Sequence, residues 1–459
     1  MEQLKQLHSQ IFKIGLNQNR ATLEELMLFC THSGQHLRYA SQIFTTIHEP
    51  TLFTYNLLIK AYAKKGLFLD IVSLFVRLRK DGLFPSNFTY PFVCKAIGWL
   101  KKDGRSVHGL IIATGFEFDC YTRNSLVDMY ANCGCLGFAR QVFDEMLVKN
   151  VVTWSTMMYG YANNGMMAQA RELFDACPEK EVHMWTTMII MYVQSNSFDE
   201  ALKLFHAMRV NKGVKPDKYT VVALLQGCAK FGGLEKGRWI HGYIEDKRIR
   251  IDAIVGTALI NMYASFGCMD KSMEIFRSIR KKDTTLWSAI IWGFAINAKT
   301  KEALNLFGEL RNRLKPDANI YRSVLTACRH GGLVEKGRLY FEFMQKIHRI
   351  EPKIEHYMCL VDLLSSAGEL HEAERLIEGI PNVSDHQRSL PLWNALLCAC
   401  RTHNNVEMGK RVAKHILASN SGDPSLSANL YAAVDGWDDG TTVRKKMKEL
   451  TCQDISSVL

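Results

Sequence analysis

Apolar residues along the chain recur with the period of a helix, and the helices recur in pairs. Trp154, Met157, Met158 and Tyr161 stand at i, i+3, i+4 and i+7, and the same spacing returns as Trp185, Met188, Ile189, Tyr192 and as Trp287, Ile290, Ile291, Phe294. That stripe predicts an amphipathic helix with one buried face. A second helix follows each, as in Ala139, Val142, Phe143 and Met146, with Gly134 or Gly165 in the turn before it. An aromatic residue followed thirteen positions later by Phe ties the two helices together: Tyr62/Phe75, Tyr130/Phe143, Tyr161/Phe174, Tyr192/Phe205, Tyr263/Phe276 and Phe294/Phe307. Five of these pairs enclose a small residue four before the Phe (Ala139, Ala170, Ala201, Ser272, Ala303), which lets the helices approach while the Phe fills the space between them. A helical hairpin of this size cannot bury its apolar face alone, so neighbours must stack into a solenoid.

The repeat length varies. Residues Val182–Asp217, Lys218–Asp252 and Ala253–Asp283 are consecutive units of 36, 35 and 31 residues, each closed by an aspartate. A second unit type alternates with the first, carrying Gly237-Arg238-Trp239-Ile240-His241, Gly337-Arg338 and Gly104-Arg105-Ser106-Val107-His108 at its second helix. The reading divides the chain into a partial repeat over 1–19, an array of ten repeats over 20–385 and an extension over 386–459. The fold class expected is all-α, an α-solenoid superhelix of stacked helix-turn-helix repeats.

Composition narrows the function classes. At 459 residues the chain exceeds one ordinary core, and 47% hydrophobic with 22% charged residues is the balance of a folded protein. The net charge of +11 fits a polyanionic partner without requiring one. Thirteen cysteines, an odd number scattered through helical patterns, suit a reducing compartment, and no apolar run is long enough to span a membrane. Cys133-Gly134-Cys135 and Cys398-Ala399-Cys400 lack the C-x-x-C turn and second half-site of a zinc centre, so they read as packed thiols. His108, His241, His356 and His403 read as structural, because no H-x-E with a downstream P-C-x-x-C accompanies them. No phosphate-binding loop or nucleophile elbow occurs either. The expectation is a protein without catalytic residues, metal or cofactor.

The pattern V-x-x-W-x-x-M-I-x-x-Y…A-x-x-x-F-x-x-M…P-D from Val182 to Asp217 resembles a pentatricopeptide repeat. The mixture of long and short units resembles the plant subclass that alternates P, L and S types. The stretch Glu355-His356-Tyr357 to Glu372-Ala373-Glu374 resembles the last short repeat of that subclass. Trp393-Asn394-Ala395-Leu396-Leu397 and Ala428-Asn429-Leu430-Tyr431 resemble its E-type extension, here shortened. The resemblance implies a sequence-specific binder of single-stranded organellar RNA that selects cytidines for C-to-U editing. A separate deaminase, with editing accessory proteins, would be recruited through residues 386–459. It implies a mitochondrion, with the chloroplast as alternative, although Met1–His8 shows no presequence. Transcript stabilisation, splicing or translation is the alternative role for such an RNA binder, and a protein-binding scaffold the alternative class.

In the resembled family the fifth and last residues of each unit read one base. Here these are Asn56/Ser86, Asn124/Asn150, Ser155/Glu181, Thr186/Asp217, Thr257/Asp283 and Ser288/Asp317. An Asp accepts from guanine N1–H and N2–H, whereas an Asn amide offers donor and acceptor to a pyrimidine edge. The three Asp-closed pairs are expected to prefer G, Asn56/Ser86 C over U, and Asn124/Asn150 either pyrimidine. Ser155/Glu181 is ambiguous. Pro91/Asp119, Val222/Asp252 and Arg322/Lys353 depart from readable combinations, and Met358/Asp385 is weak. The competing reading of the closing residues is helix capping, which favours the same side chains.

Overall fold

The computed structural model describes residues 19–32, 36–211, 213–380 and 386–419, together with Ser9. The partial repeat assigned to 1–19, apart from Ser9 and Asn19, lies outside these, as do Asp385 and the extension beyond residue 419. Among the described residues the regular structure is helical, and the chain divides into two compact blocks, 1–224 and 225–459.

The helices follow in eleven successive pairs from Arg20–His32 with Leu37–Thr46 to Ile354–Ser366 with Leu370–Glu378. That is one pair more than the sequence reading allots to 20–385. Units of 31 to 36 residues, the lengths that the sequence shows from Val182 to Asp283, fill 20–385 eleven times, not ten. A twelfth pair, His386–Thr402 with Val406–Ser419, packs on the eleventh and continues the stack into the extension.

Within each block the first helices of most neighbouring units pack side by side, and most second helices lie against the first helix of their own unit and that of the next. Each block is therefore a solenoid stack, in which a unit buries its apolar face only against its neighbours. The Phe at the thirteen-residue spacing joins units as well as helices. Phe143 meets Trp154 of the following unit edge to face at 5.1 Å, Phe174 meets Trp185 at 5.0 Å, and Phe276 meets Trp287 at 4.8 Å. The small residues before these rings, Ala139, Ala170 and Ser272, are fully buried.

The turns obey backbone sterics. Gly134 and Gly165 take φ of 76° and 77° between the two helices of their units, a left-handed conformation open to glycine. Ala298 adopts the same conformation at φ 55° against the preference of an L side chain. Glycine also lets first helices approach: a Cβ on Gly160 would stand 2.7 Å from Ala131 Cβ, and one on Gly293 2.9 Å from Ala264 Cβ.

Candidate nucleic-acid interface

The residues that close the units start the next helix, and their side chains cap it. Asn150 Oδ1 accepts from the backbone N–H of Thr153 at 2.9 Å, Asp217 Oδ1 from Thr220 at 2.9 Å, Asp283 Oδ1 from Leu286 at 2.8 Å, and Asp317 Oδ1 from Ile320 at 3.0 Å. Capping is thus a fact at these positions. Each of these contacts uses one oxygen; the second carboxylate oxygen of Asp217, Asp283 and Asp317 takes no part in the cap, whereas Asn150 Nδ2 faces Cys120 Sγ. Ser86 accepts from Phe88 N–H at 3.3 Å, while Glu181 is exposed and makes no side-chain cap.

The fifth residues lie one helical turn in, on the face that the caps border. Asn56 Oδ1 accepts from Thr89 Oγ1 at 2.8 Å, and the Thr186 and Thr220 hydroxyls are 2.8 Å apart. Thr89 and Thr220 in turn bond the closing residues Ser86 and Asp217. The structure therefore brings both members of Asn56/Ser86 and Thr186/Asp217 to one hydrogen-bonded cluster. Asn124 and Asn150 meet differently: their Nδ2 atoms both face Cys120 Sγ, at 3.9 and 3.5 Å. Ser155 is buried and donates to the Val151 carbonyl at 2.7 Å, so its hydroxyl is committed inward. Thr257 Oγ1 is buried without a partner, and the Ser288 hydroxyl stands 3.5 Å from that of Ser323.

Two grooves in the first block run over this face. One, of about 840 Å³, is lined by Glu181, Thr186 and Asp217 together with Lys180 and Tyr219. The other, of about 630 Å³, is lined by the fifth residues Pro91, Asn124 and Ser155 and by Lys95 and Asp128. Their charge is mixed, so the +11 of the whole chain is not concentrated there.

A third row escapes the sequence reading. The second residue of successive units is exposed and largely apolar: Phe53 at 53%, Phe88 at 72%, Tyr121 at 78%, Val152 at 56% and Tyr219 at 53%. Tyr121, Val152 and His183 line the second groove beside the fifth residues. Exposed rings beside a polar row form the arrangement on which unstacked bases rest. The signal was present as recurrence at one register, but an apolar residue in the first turn of a helix is ordinarily taken for core.

Comparison with characterised proteins gives the lineage. The PPR repeat model matches residues 53–83, 121–151, 152–182, 257–284 and 285–313, and the PPR repeat family model matches 180–230. A pentatricopeptide repeat-containing protein of Arabidopsis thaliana, described as chloroplastic, is 43% identical over 98% of this chain and 81% of its own length. The chain belongs to the pentatricopeptide repeat family. A second Arabidopsis thaliana pentatricopeptide repeat-containing protein is 37% identical over 97% of this chain and 72% of its own. Among solved structures, the pentatricopeptide repeat protein PPR10 in complex with an 18-nt psaJ RNA element matches with a TM-score of 0.44 and 17% identity. That match covers 82% of this chain, which spans 61% of the PPR10 chain.

Three histidines of this pentatricopeptide repeat protein link neighbouring units. His108 Nδ1 is 2.9 Å from the Tyr130 hydroxyl of the following unit, and His241 Nδ1 is 2.9 Å from that of Tyr263. Burial holds both imidazoles below their usual pKa. His356 is buried and reaches the Ala318 carbonyl at 2.7 Å. The described cysteines are free thiols, and burial pushes that of Cys400 up to about 11. No group of three or more His, Cys, Asp or Glu positioned to hold a metal occurs among the described residues, and no helix among them is long and apolar enough to cross a membrane.

Proposed function

We propose that this chain is a sequence-specific binder of single-stranded RNA in a plant organelle, where it selects cytidines for C-to-U editing. Catalysis then belongs to a separate deaminase recruited, with accessory proteins, through residues 386–459. The observation that carries RNA reading is the pairing of Asn56 with Ser86 and Thr186 with Asp217 around one hydrogen-bonded cluster each, beside a row of exposed rings. Polar side chains at one repeat spacing supply base-edge contacts, and the rings supply stacking. The chloroplastic name of the Arabidopsis relative supports an organellar setting and favours the chloroplast over the mitochondrion.

Each unit reads one base at roughly 1–3 kcal/mol of discrimination. Five readable units therefore select among organellar transcripts while stacking and backbone contacts supply much of the affinity. Binding weakens with salt, at a logarithmic slope of about 0.7 per neutralised phosphate on a single strand.

Sequencing organellar transcripts with and without the gene tests the editing role. Loss of editing at one or a few cytidines is expected. Normal editing at every site, with altered transcript abundance or processing, would move the protein to stabilisation, splicing or translation. Failure of the recombinant chain to prefer any RNA over a scrambled one would return it to the scaffold class. A fluorescent fusion of the native gene product decides between chloroplast and mitochondrion.

A further inference from the structure

The third residue of each unit is a threonine in several places, and in two of them it does more than begin a helix. Thr89 follows the unit closed by Ser86, and Thr220 follows the unit closed by Asp217. Both are fully buried, and both touch the fifth and the last residue of the preceding unit at once. A hydroxyl has a single proton, so the partner that receives it dictates how every other partner must be oriented.

At the first cluster, Thr89 Oγ1 donates to Asn56 Oδ1 at 2.8 Å and accepts from the Ser86 N–H at 3.1 Å. Ser86 Oγ, 3.3 Å away, is left to donate to Thr89. The Asn56 carbonyl oxygen is thereby turned inward and its amide Nδ2 outward, presenting donors. Cytosine offers acceptors at N3 and O2, whereas uracil carries a proton on N3. The fixed amide therefore favours cytosine.

At the second cluster the polarity is reversed. The Thr220 hydroxyl and backbone N–H both donate to Asp217 Oδ1, each at 2.9 Å. With its proton spent, Thr220 accepts at the 2.8 Å contact with Thr186, so Thr186 is the donor. The lone pairs of Thr186 Oγ1 and the second carboxylate oxygen of Asp217 then face the groove that both residues line. Two acceptors match N1–H and N2–H of guanine and oppose the N1 lone pair of adenine.

We propose that Thr89 and Thr220 are positioning residues that set the donor or acceptor polarity of Asn56 and Thr186, and with it the base each unit prefers. The proposal rests on the RNA-reading function above. Other units supply the contrast. Leu286 stands where a relay would serve Thr257, and the Thr257 hydroxyl has no partner; Ile320 stands at the same place after Ser288. Thr122 and Thr153 occupy the register but bond the closing Asp119 and Asn150, while Asn124 turns to Cys120. Thr186/Asp217 should accordingly separate G from A more sharply than Thr257/Asp283, although both pairs are Thr with Asp.

The test is binding of the full chain to a panel of short RNAs that carry each of the four bases opposite one unit. Thr220→Val should lower the G-to-A affinity ratio at the Thr186 unit roughly fivefold or more, the size of one oriented hydrogen bond. Its affinity for the best RNA should change less, and Thr220→Ser should restore the ratio. Thr89→Val should erase the C-over-U preference of the Asn56 unit while leaving pyrimidines ahead of purines. Melting curves accompany each variant, and if Thr220→Val does not fold, the Thr89→Val ratio decides. Asp217→Asn separates the two levels of the argument. If it moves the preference from G towards A while folded Thr220→Val and Thr89→Val keep the wild-type ratios, the relay is refuted and base reading stands. If Asp217→Asn also leaves base preference unchanged, base reading itself fails.

Discussion

Asp283 is the position at which capping and base reading can be separated by two substitutions. Its Oδ1 holds the N–H of Leu286 at 2.8 Å, and Leu286 is fully buried, so nothing else waits to take that proton. Asp283→Ala removes the acceptor and should cost about 1 kcal/mol at the start of helix Thr284–Ile296, the usual loss for an N-cap. Asp283→Asn keeps a carbonyl oxygen for the cap and replaces the outward carboxylate oxygen with an amide donor. Stability should then stay within about 0.5 kcal/mol of wild type, a typical surface change. The preference of the Thr257 unit should move from G towards A, whose N1 accepts. A misplaced edge contact of roughly 1–3 kcal/mol corresponds to a change in ratio of about 5- to 150-fold. Stacked repeats do not unfold as one unit, so the cap is best read by amide hydrogen exchange over residues 284–290 and the base by fluorescence anisotropy with four RNAs. The reasoning is refuted if Asp283→Asn exchanges as fast as Asp283→Ala while its base preference stays at G, because Asp283 would then be a cap alone.

Three further outcomes follow from the packing. Ala298→Gly relieves a left-handed alanine at φ 55° and should stabilise its block by about 0.5–1 kcal/mol, seen as a later melting transition; no gain would mean that the turn is not strained. Gly160→Val places side-chain atoms where even a Cβ would be 2.7 Å from Ala131 Cβ, and should cost about 1–3 kcal/mol and loosen helix Val151–Asn163 in hydrogen exchange. The folded state holds His108 and His241 below the unfolded imidazole pKa, so it binds fewer protons than the unfolded chain as pH falls. Their contribution is complete above the unfolded value of about 6.5 and is lost below it, and the double variant His108→Gln, His241→Gln should flatten the fall in melting temperature between pH 7.5 and 5.

The helices were legible because their cause is local. A stripe such as Trp185, Met188, Ile189 and Tyr192 has one explanation, and all four residues are buried. The Phe spacing was legible too, but only half of its meaning. Phe174 fills its own hairpin and also meets Trp185 of the next unit at 5.0 Å, a contact between units that periodicity within one unit does not contain. At the candidate interface, the fifth and last positions were singled out through a family resemblance, whereas the exposed rings at the second position were passed over because apolarity in a helix ordinarily means burial.

The closing residues show most clearly what a sequence can and cannot hold. Cap and base reader call for the same short polar side chains, so identity alone does not separate them; the structure shows the cap and leaves room beside it for the base-reading role proposed above. Asp217 and Asp283 both use one oxygen to cap a helix, yet only Asp217 is joined through a threonine to the fifth residue of its unit. That connection involves Thr186, Asp217 and Thr220, its ends 34 positions apart in the sequence, and depends on where a single proton sits. Two units with the same pair of proposed reading residues are thus chemically different, and the difference lies in the unit that follows them. On the reading proposed above, a code written in two positions per unit describes which atoms face the RNA. The third residue of the next unit governs whether those atoms donate or accept, which is why Thr186/Asp217 and Thr257/Asp283 should part in selectivity.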